Sequence, residues 1–325
     1  MSNERIWRID SLWLGKESTA WTEASAFTWI PLTTMGYIKP VIEYSKNESW
    51  VWRIENMVSR EIVKQMSETI AEWRVWALTF WHLLTALFWT ASAPATVETS
   101  VYKHSFTVTN TNNHKSYSII TDWTAQELSL YNLLDKISIT AEVWNVINFS
   151  STFKGKIWAT TTWKVVSFTS ERPFKVCWMT MKFADNVAWL TAASVIPMTS
   201  LKFEVSKNVT DITESWSCTP TSFHNQSFWI TWDLELVYRA DTYKWYVTWW
   251  TNKAMRVTIT WSTLIGATKY EELNFDFWLI SFDEWDRSNK NDDIQTQTLW
   301  FTWLYSLADS AMLTWYIQNT QSSSY

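Results

Sequence analysis

Hydrophobic and polar positions along this chain follow one short helical repeat and many repeats of period two. Phe80, Leu83, Leu84, Leu87 and Phe88 fall at i, i+3, i+4, i+7 and i+8. That spacing places them on one face of a helix over about 79–88, with Thr79 positioned to cap it. The stripe is expected to pack against a strand carrying Ile147, Phe149 and Phe153. Beyond Pro94 the period changes. Tyr102, His104, Phe106 and Val108 alternate with Val101, Lys103, Ser105 and Thr107, and Asn110-Thr111-Asn112-Asn113 supplies a turn. Similar runs predict strands at Ser116–Asp122, Ile137–Glu142, Val146–Phe153, Phe174–Phe183, Leu201–Ser206 and Asp233–Arg239, and again at Tyr243–Thr248, Met255–Thr260, Leu273–Phe282, Leu299–Tyr305 and Met312–Ile317. Many short strands and one helix predict a mainly β, antiparallel chain.

Residues 1–40, interrupted by Pro31 and Pro40, read as an N-terminal arm whose loss up to residue 35 would leave the rest folded. Residues 41–325 read as the β domain. Its first part, 41–74, suggests a strand followed by a partly helical segment over Ser59–Glu72. The polar stretch 207–226, with Pro220, and the acidic stretch 283–293 read as loops.

Composition changes this picture at one point. The chain of 325 residues holds 28 Trp and only 4 Gly. A domain of this size ordinarily carries about 7% Gly, and here the two types together match the glycine content of a turn-rich β protein. The tryptophans also stand where glycine serves. Trp144-Asn145 separates two alternating runs, Trp249-Trp250 separates two more, and Trp89 follows the helical pattern just before Pro94. Trp89, Trp144, Trp249 and Trp250 are thus the clearest glycine positions. A gene in which UGA encodes glycine, translated with UGA read as tryptophan, produces this sequence. The alternative is a truly Trp-rich extracellular β protein that binds glycans on aromatic platforms; UGG codons would mark it.

The net charge of −5 and pI near 5.5 favour neither a nucleic-acid binder nor an anionic-membrane binder. The opening residues lack the layout of a secretory signal, and no apolar run is long enough to span a membrane. Cys177 and Cys218 fit neither a disulfide framework nor a zinc site, and His82, His104, His114 and His224 share no metal-ligand spacing. With Trp read as Gly, Trp158–Lys164 becomes G-A-T-T-T-G-K. Val165 follows in place of the hydroxyl residue that a phosphate loop needs. No catalytic residue, metal or cofactor is therefore expected, and the chain reads as a non-enzyme.

With Trp read as Gly, the chain resembles the major tail tube proteins of long-tailed, siphovirus-type bacteriophages over most of its length. The opening Leu12-Trp13-Leu14-Gly15-Lys16-Glu17-Ser18-Thr19-Ala20-Trp21-Thr22, then Phe27 and Ile30-Pro31-Leu32, is similar to their "L-G-x-E-x-T-x-G-T" and I-P signatures. Tyr102–Val108, Ser116–Ile119, Lys136–Ile139 and Ser150–Gly155 resemble their central strands, and Ile317-Gln318-Asn319 with Tyr325 their closing pattern. The resemblance implies a β-sandwich or half-barrel with one flanking helix, a structural virion protein assembled as homohexameric rings stacked into a hollow tube. It implies that Leu14, Glu17, Thr22, Ile30 and Pro31 lie on an inter-ring arm. Expected partners are further copies of the chain and the tape measure, terminator and distal tail proteins. DNA would pass through the lumen without sequence-specific binding, and no membrane is involved. The protein would be assembled in the bacterial host cytoplasm and reside in the virion tail. Another virion β protein, such as a tail terminator or capsid decoration protein, is a third reading.

Overall fold

The computed structural model describes residues 11–30, 32–47, 59–88, 92–108, 115–122, 126–157, 159–161, 164–165, 167, 173–288 and 294–322. Pro31, Trp89, the turn at 110–113 and Tyr325 lie outside these residues. In chain order the elements are β1 (Ser11–Lys16), β2 (Thr28–Ile30), β3 (Leu32–Asn47), β4 (Ser59–Arg74), helix α1 (Trp81–Phe88), β5 (Ala95–Glu98), β6 (Val101–Thr107) and β7 (Tyr117–Asp122). There follow β8 (Gln126–Glu142), β9 (Asn148–Gly155), β10 (Ala159–Thr160), β11 (Met179–Ala184), β12 (Met198–Ser206), β13 (Val209–Ile212), β14 (Ser222–Asn225) and β15 (Trp229–Val237). Helix α2 (Thr242–Thr248), β16 (Lys253–Leu264), β17 (Tyr270–Arg287), β18 (Thr296–Trp303) and β19 (Leu313–Asn319) complete the chain.

The chain is mainly β, and every strand pairing is antiparallel. Two long strands belong to two ladders each. The second half of β17 closes the ladder β3-β4-β9-β8-β12-β15-β18-β17, while its first half lies between β16 and β19 in the ladder β11-β16-β17-β19-β6-β5. β8 likewise leaves the first ladder at its N-terminal half to join a small sheet, β2-β1-β7-β8-β10. The inward residues of both large ladders form one core, in which Phe203 of β12 meets Phe275 of β17 and Trp315 of β19.

Helix α1 fills an end of this core. Phe80, Leu83, Leu84, Leu87 and Phe88 are all buried, as the spacing predicts. Phe80 meets Phe149 edge-on, and Phe88 meets Phe106 and Trp315. The expected cap does not form: the helix starts at Trp81, and the buried Thr79 hydroxyl has no hydrogen-bond partner. Its C-terminal end is met instead by Lys207, whose buried ammonium donates to the Ala86 carbonyl at 2.8 Å. A cation there complements the helix dipole.

Three sequence-based expectations are corrected. Ser59–Glu72 is strand rather than partly helical. Its Glu, Lys, Gln and Met favour helix weakly, but β3 and β9 pair with β4 on both sides, and Ser67, Thr69, Ala71 and Trp73 alternate inward at period two. Tyr243–Thr248 is helix rather than strand. Tyr243, Tyr246 and Val247 pack on the core at i, i+3 and i+4, one face of a helix; in a strand Tyr246 would point away from the other two. The stretches 207–226 and 283–293 are not wholly loops: the first holds the hairpin β13–β14, and β17 continues to Arg287 paired with β18.

The fourth correction concerns the arm. β1 pairs with β7 and β2, and Leu12, Leu14 and Ile30 are fully buried in the main core. Pro31 and Pro40 break the sequence pattern without freeing the segment. Deleting residues 1–35 is therefore expected to abolish cooperative folding. Leu14→Ala alone should cost about 2–5 kcal/mol, read as a lowered urea midpoint; a deletion variant that melts like the full chain would make β1 and β2 dispensable.

Candidate functional site

The residues that carry the opening and central sequence signatures meet at one place, the bend of β8. Tyr131 there has φ +55°, a left-handed conformation rare for a bulky residue. Its amide donates to Glu17 Oε1 at 2.8 Å. The buried Glu17 carboxylate also accepts from Ser116 Oγ, Ser118 Oγ and the Trp21 amide, at 2.7, 3.0 and 3.2 Å. One anion thus ties the end of β1 and the turn after it to β7 and β8. Gly15 permits this approach, since a Cβ there would lie 2.5 Å from the Ala24 Cβ and 2.8 Å from the Ala26 carbonyl oxygen.

On the other side of the bend, Asn132 donates to the carbonyls of Tyr117 and Ser129 and accepts from Ser129 Oγ. Ser67 and Ser129 share the Lys156 carbonyl. A Cβ on Gly155 would overlap the Asn132 side chain at 2.0 Å. Glu17, Gly15 and Gly155 therefore act together as a structural joint. Thr22 is exposed beside it, with its amide closing a turn on the Thr19 carbonyl, while Leu14 and Ile30 belong to the core.

The surface feature that stands apart is the β3–β4 ribbon. β9 pairs with β4 only over Ser67–Arg74, so the remainder of the hairpin runs on past the sheet. There Glu43, Tyr44, Ser45 and Lys46 on one strand and Arg60, Glu61, Ile62 and Val63 on the other are all exposed, so both faces meet solvent. The 211–218 segment braces one side, through Lys64 to Asp211 at 2.9 Å and the Gln65 amide to the Cys218 carbonyl at 2.7 Å. Among the described residues β3 pairs with β4 alone, leaving its outer edge open. The sequence reading placed the assembly arm in residues 1–40 and missed this ribbon, because a strand exposed on both faces carries no hydrophobic alternation to reveal it.

The tryptophans divide by backbone. Trp21, Trp144 and Trp250 have φ of +72°, +72° and +52°. Trp21 and Trp144 each occupy the third position of a turn closed by an i to i+3 bond, Thr22 N to Thr19 O and Asn145 N to Glu142 O. That is the glycine position of a type II turn. Trp250 follows helix α2, where the Thr251 amide bonds to the Tyr246 carbonyl and the Trp250 amide to the Val247 carbonyl. This is a Schellman cap with its left-handed residue at Trp250, again a glycine position. Trp249 is the preceding C-cap, so the pair ends a helix rather than turning a hairpin. Trp144, Trp178, Trp189, Trp216, Trp229, Trp245, Trp249 and Trp250 are exposed, whereas Trp13, Trp73, Trp232, Trp261, Trp303 and Trp315 are buried. The indole N–H groups of Trp73, Trp232, Trp303 and Trp315 have no hydrogen-bond partner.

Among the described residues, no group of three or more His, Cys, Asp or Glu could hold a metal ion. No helix among them is long and apolar enough to cross a membrane. Ala159–Thr160, within the segment that resembles a phosphate loop, is a strand paired with Glu127–Leu128, not a turn into a helix. Two buried titratable groups belong to α1 and its C-terminal end. The His82 ring stacks on Trp81, has no hydrogen-bond partner on either nitrogen, and is pushed down to about 3 by burial and secondarily by the Lys16 cation. Burial lowers Lys207 to about 7, although Asp135 opposes the shift. No protein-family model matches this sequence, and neither does any curated protein.

Two predictions follow from these groups. Glu17→Ala strands several donors at the joint and should cost at least about 3 kcal/mol in a denaturation titration; an unchanged midpoint would remove Glu17 from the joint. His82 stays neutral in the folded chain down to about 3, while the unfolded chain takes up a proton near 6.5. Stability should therefore be fully present above pH 6.5 and fall as pH drops below it, by up to about 1.4 kcal/mol per pH unit from this group. His82→Leu should flatten that slope.

Proposed function

We propose that the chain is a structural subunit that binds copies of itself, forming hexameric rings stacked into the tail tube of a long-tailed bacteriophage. Most of its tryptophan letters, in this reading, stand at glycine codons. The observation that carries self-association is the β3–β4 ribbon. Ordering backbone costs about 1–2 kcal/mol per residue, and a ribbon exposed on both faces gains little burial within its own chain. A partner surface supplies what is missing. An open β3 edge is also a template for strand pairing between copies. The tail tube reading draws further support from Gly15 and Glu17 of the opening signature and Gly155 of a central one, which meet at one joint.

The recoding half rests on Trp21, Trp144 and Trp250, three bulky residues at backbone positions that favour glycine. Trp315 is the opposite case, fully buried against Phe203 and Phe275. The competing glycan-binding reading is favoured by the exposed indoles of Trp245 and Trp249, whose rings lie 6.5 Å apart.

Electron microscopy of the purified chain at high concentration should show rings or tubes. A monomer at every concentration, with glycan binding abolished by Trp245→Ala, would replace this reading with the alternative. Reading the codons separates them independently: UGA at positions 21, 144 and 250 is expected. In the tryptophan-bearing protein, Trp144→Gly and Trp250→Gly should each raise stability by about 1 kcal/mol, whereas Trp315→Gly should lower it by at least about 3 kcal/mol.

A further inference from the structure

The exposed end of the ribbon is polarised. Tyr44 pairs with Ile62 and Lys46 with Arg60, so these four side chains share one face, and the Arg60 guanidinium lies 4.5 Å from the Tyr44 ring centre. Ser45 and Glu61 lie opposite each other on the other face. Two cations directly across a ladder repel each other, and among the described residues neither Lys46 nor Arg60 makes a salt bridge. The face is thus cationic with an exposed apolar pair.

The outer face of the same ladder has the opposite character further along. Glu235 and Asp286 flank Thr298 in one row, and Asp233 and Glu284 flank Trp300 in the next. Glu142 extends the first row through Ser200. Leu234 and Leu299 point inward between these rows, so the five carboxylates share the solvent face. Lys202 stands beside Asp233 in the second row, and Arg74 lies further along that row through Thr140 and Asn148. Adjacent strands lie about 4.8 Å apart and alternate residues nearly 7 Å, which concentrates the charge in a small area. None of the five carboxylates makes a salt bridge among the described residues.

We propose that the Lys46/Arg60 face of one copy's ribbon docks on the Asp233/Glu284/Asp286 face of a second copy. This rests on the self-assembly reading and names its contact. The occupant must come from another chain. The ribbon end at Arg60 lies at the far end of β4 from Arg74, where the line of the second acidic row meets that strand through Thr140 and Asn148, and β9, β8 and β12 separate it from the acidic rows. It cannot fold back onto them. Because the two surfaces differ, the contact is head-to-tail, the kind that closes into a ring or propagates as a filament. Tyr44 and Ile62 lose water in the contact, and the opposed charges set its orientation.

The test uses the full chain and charge reversal on each surface, Lys46→Glu with Arg60→Glu, and Asp233→Lys with Glu284→Lys and Asp286→Lys. All five positions are exposed, and circular dichroism and melting identify variants that fold. Lys46→Gln with Arg60→Gln provides a milder version should a reversal fail to fold. Each folded reversal should raise the concentration needed for assembly at least tenfold, by sedimentation and electron microscopy. Mixing the two should restore assembly, with both variants in the product. Reversals that assemble like the parent would overturn the contact while leaving self-assembly standing, and so would loss of assembly without rescue on mixing. DNA binding that Lys46→Glu with Arg60→Glu removes, with assembly unchanged, would overturn it in favour of a nucleic-acid face. A parent that stays monomeric at every concentration would overturn both this contact and the reading beneath it.

Discussion

The architecture depends on a buried carboxylate. β8 has to serve two sheets, and it does so by turning sharply at Tyr131, in a conformation that costs a bulky residue about 1–2 kcal/mol. Glu17 holds that turn by taking the Tyr131 amide, which the bend removes from the ladder, together with donors from β7 and the turn after β1. A charge out of water is tolerable only when hydrogen-bonded on every side, and this one is. The small sheet, the N-terminal strands and the entry to the long hairpin all take their positions from this contact.

Much of the fold was legible because most strands alternate cleanly. The helix stripe at Phe80–Phe88 and the strand Asn148–Gly155 bury what their periods say they should. The errors came where periodicity and pairing disagree. Ser59–Arg74 is rich in helix-favouring residues and becomes a strand only because neighbours flank it on both sides. Tyr243–Thr248 has strand-favouring residues and becomes a helix because its apolar positions also satisfy i, i+3, i+4. The N-terminal segment was misread for a third reason: its strands are short and separated by a wide loop, so burial of Leu12, Leu14 and Ile30 depends on contacts with β7 that no local pattern contains. The candidate site was half legible. Gly15, Glu17 and Gly155 were visible as signature residues, but their meeting at the bend of β8 was not, and neither was Lys207, which looked like part of a polar loop.

The tryptophans pose two different physical problems. In turns and at the end of α2 the backbone asks for a residue without a side chain; the indoles of Trp144 and Trp250 project into solvent, while that of Trp21 lies stacked on Tyr131. In the core the indoles fill space well, as Trp232 does against Phe203 and Trp303, yet Trp73, Trp232, Trp303 and Trp315 leave their N–H groups without acceptors. Position alone therefore separates sites where the side chain is superfluous from sites where its volume matters. Codon identity bears on each set separately.

β17 has a mechanical consequence. The two layers of a sandwich usually adhere through side chains alone, and a shearing force between them is resisted only by packing. Here one continuous peptide passes from the layer of β16 and β19 into the layer of β18, crossing between Phe277, the last residue paired with β19, and Ile280, the first paired with β18. Force applied to one layer is handed to the other along covalent bonds. The pair cannot slide past each other at that edge without first stripping hydrogen bonds from both ladders, so the molecule should yield under load as one unit rather than layer by layer.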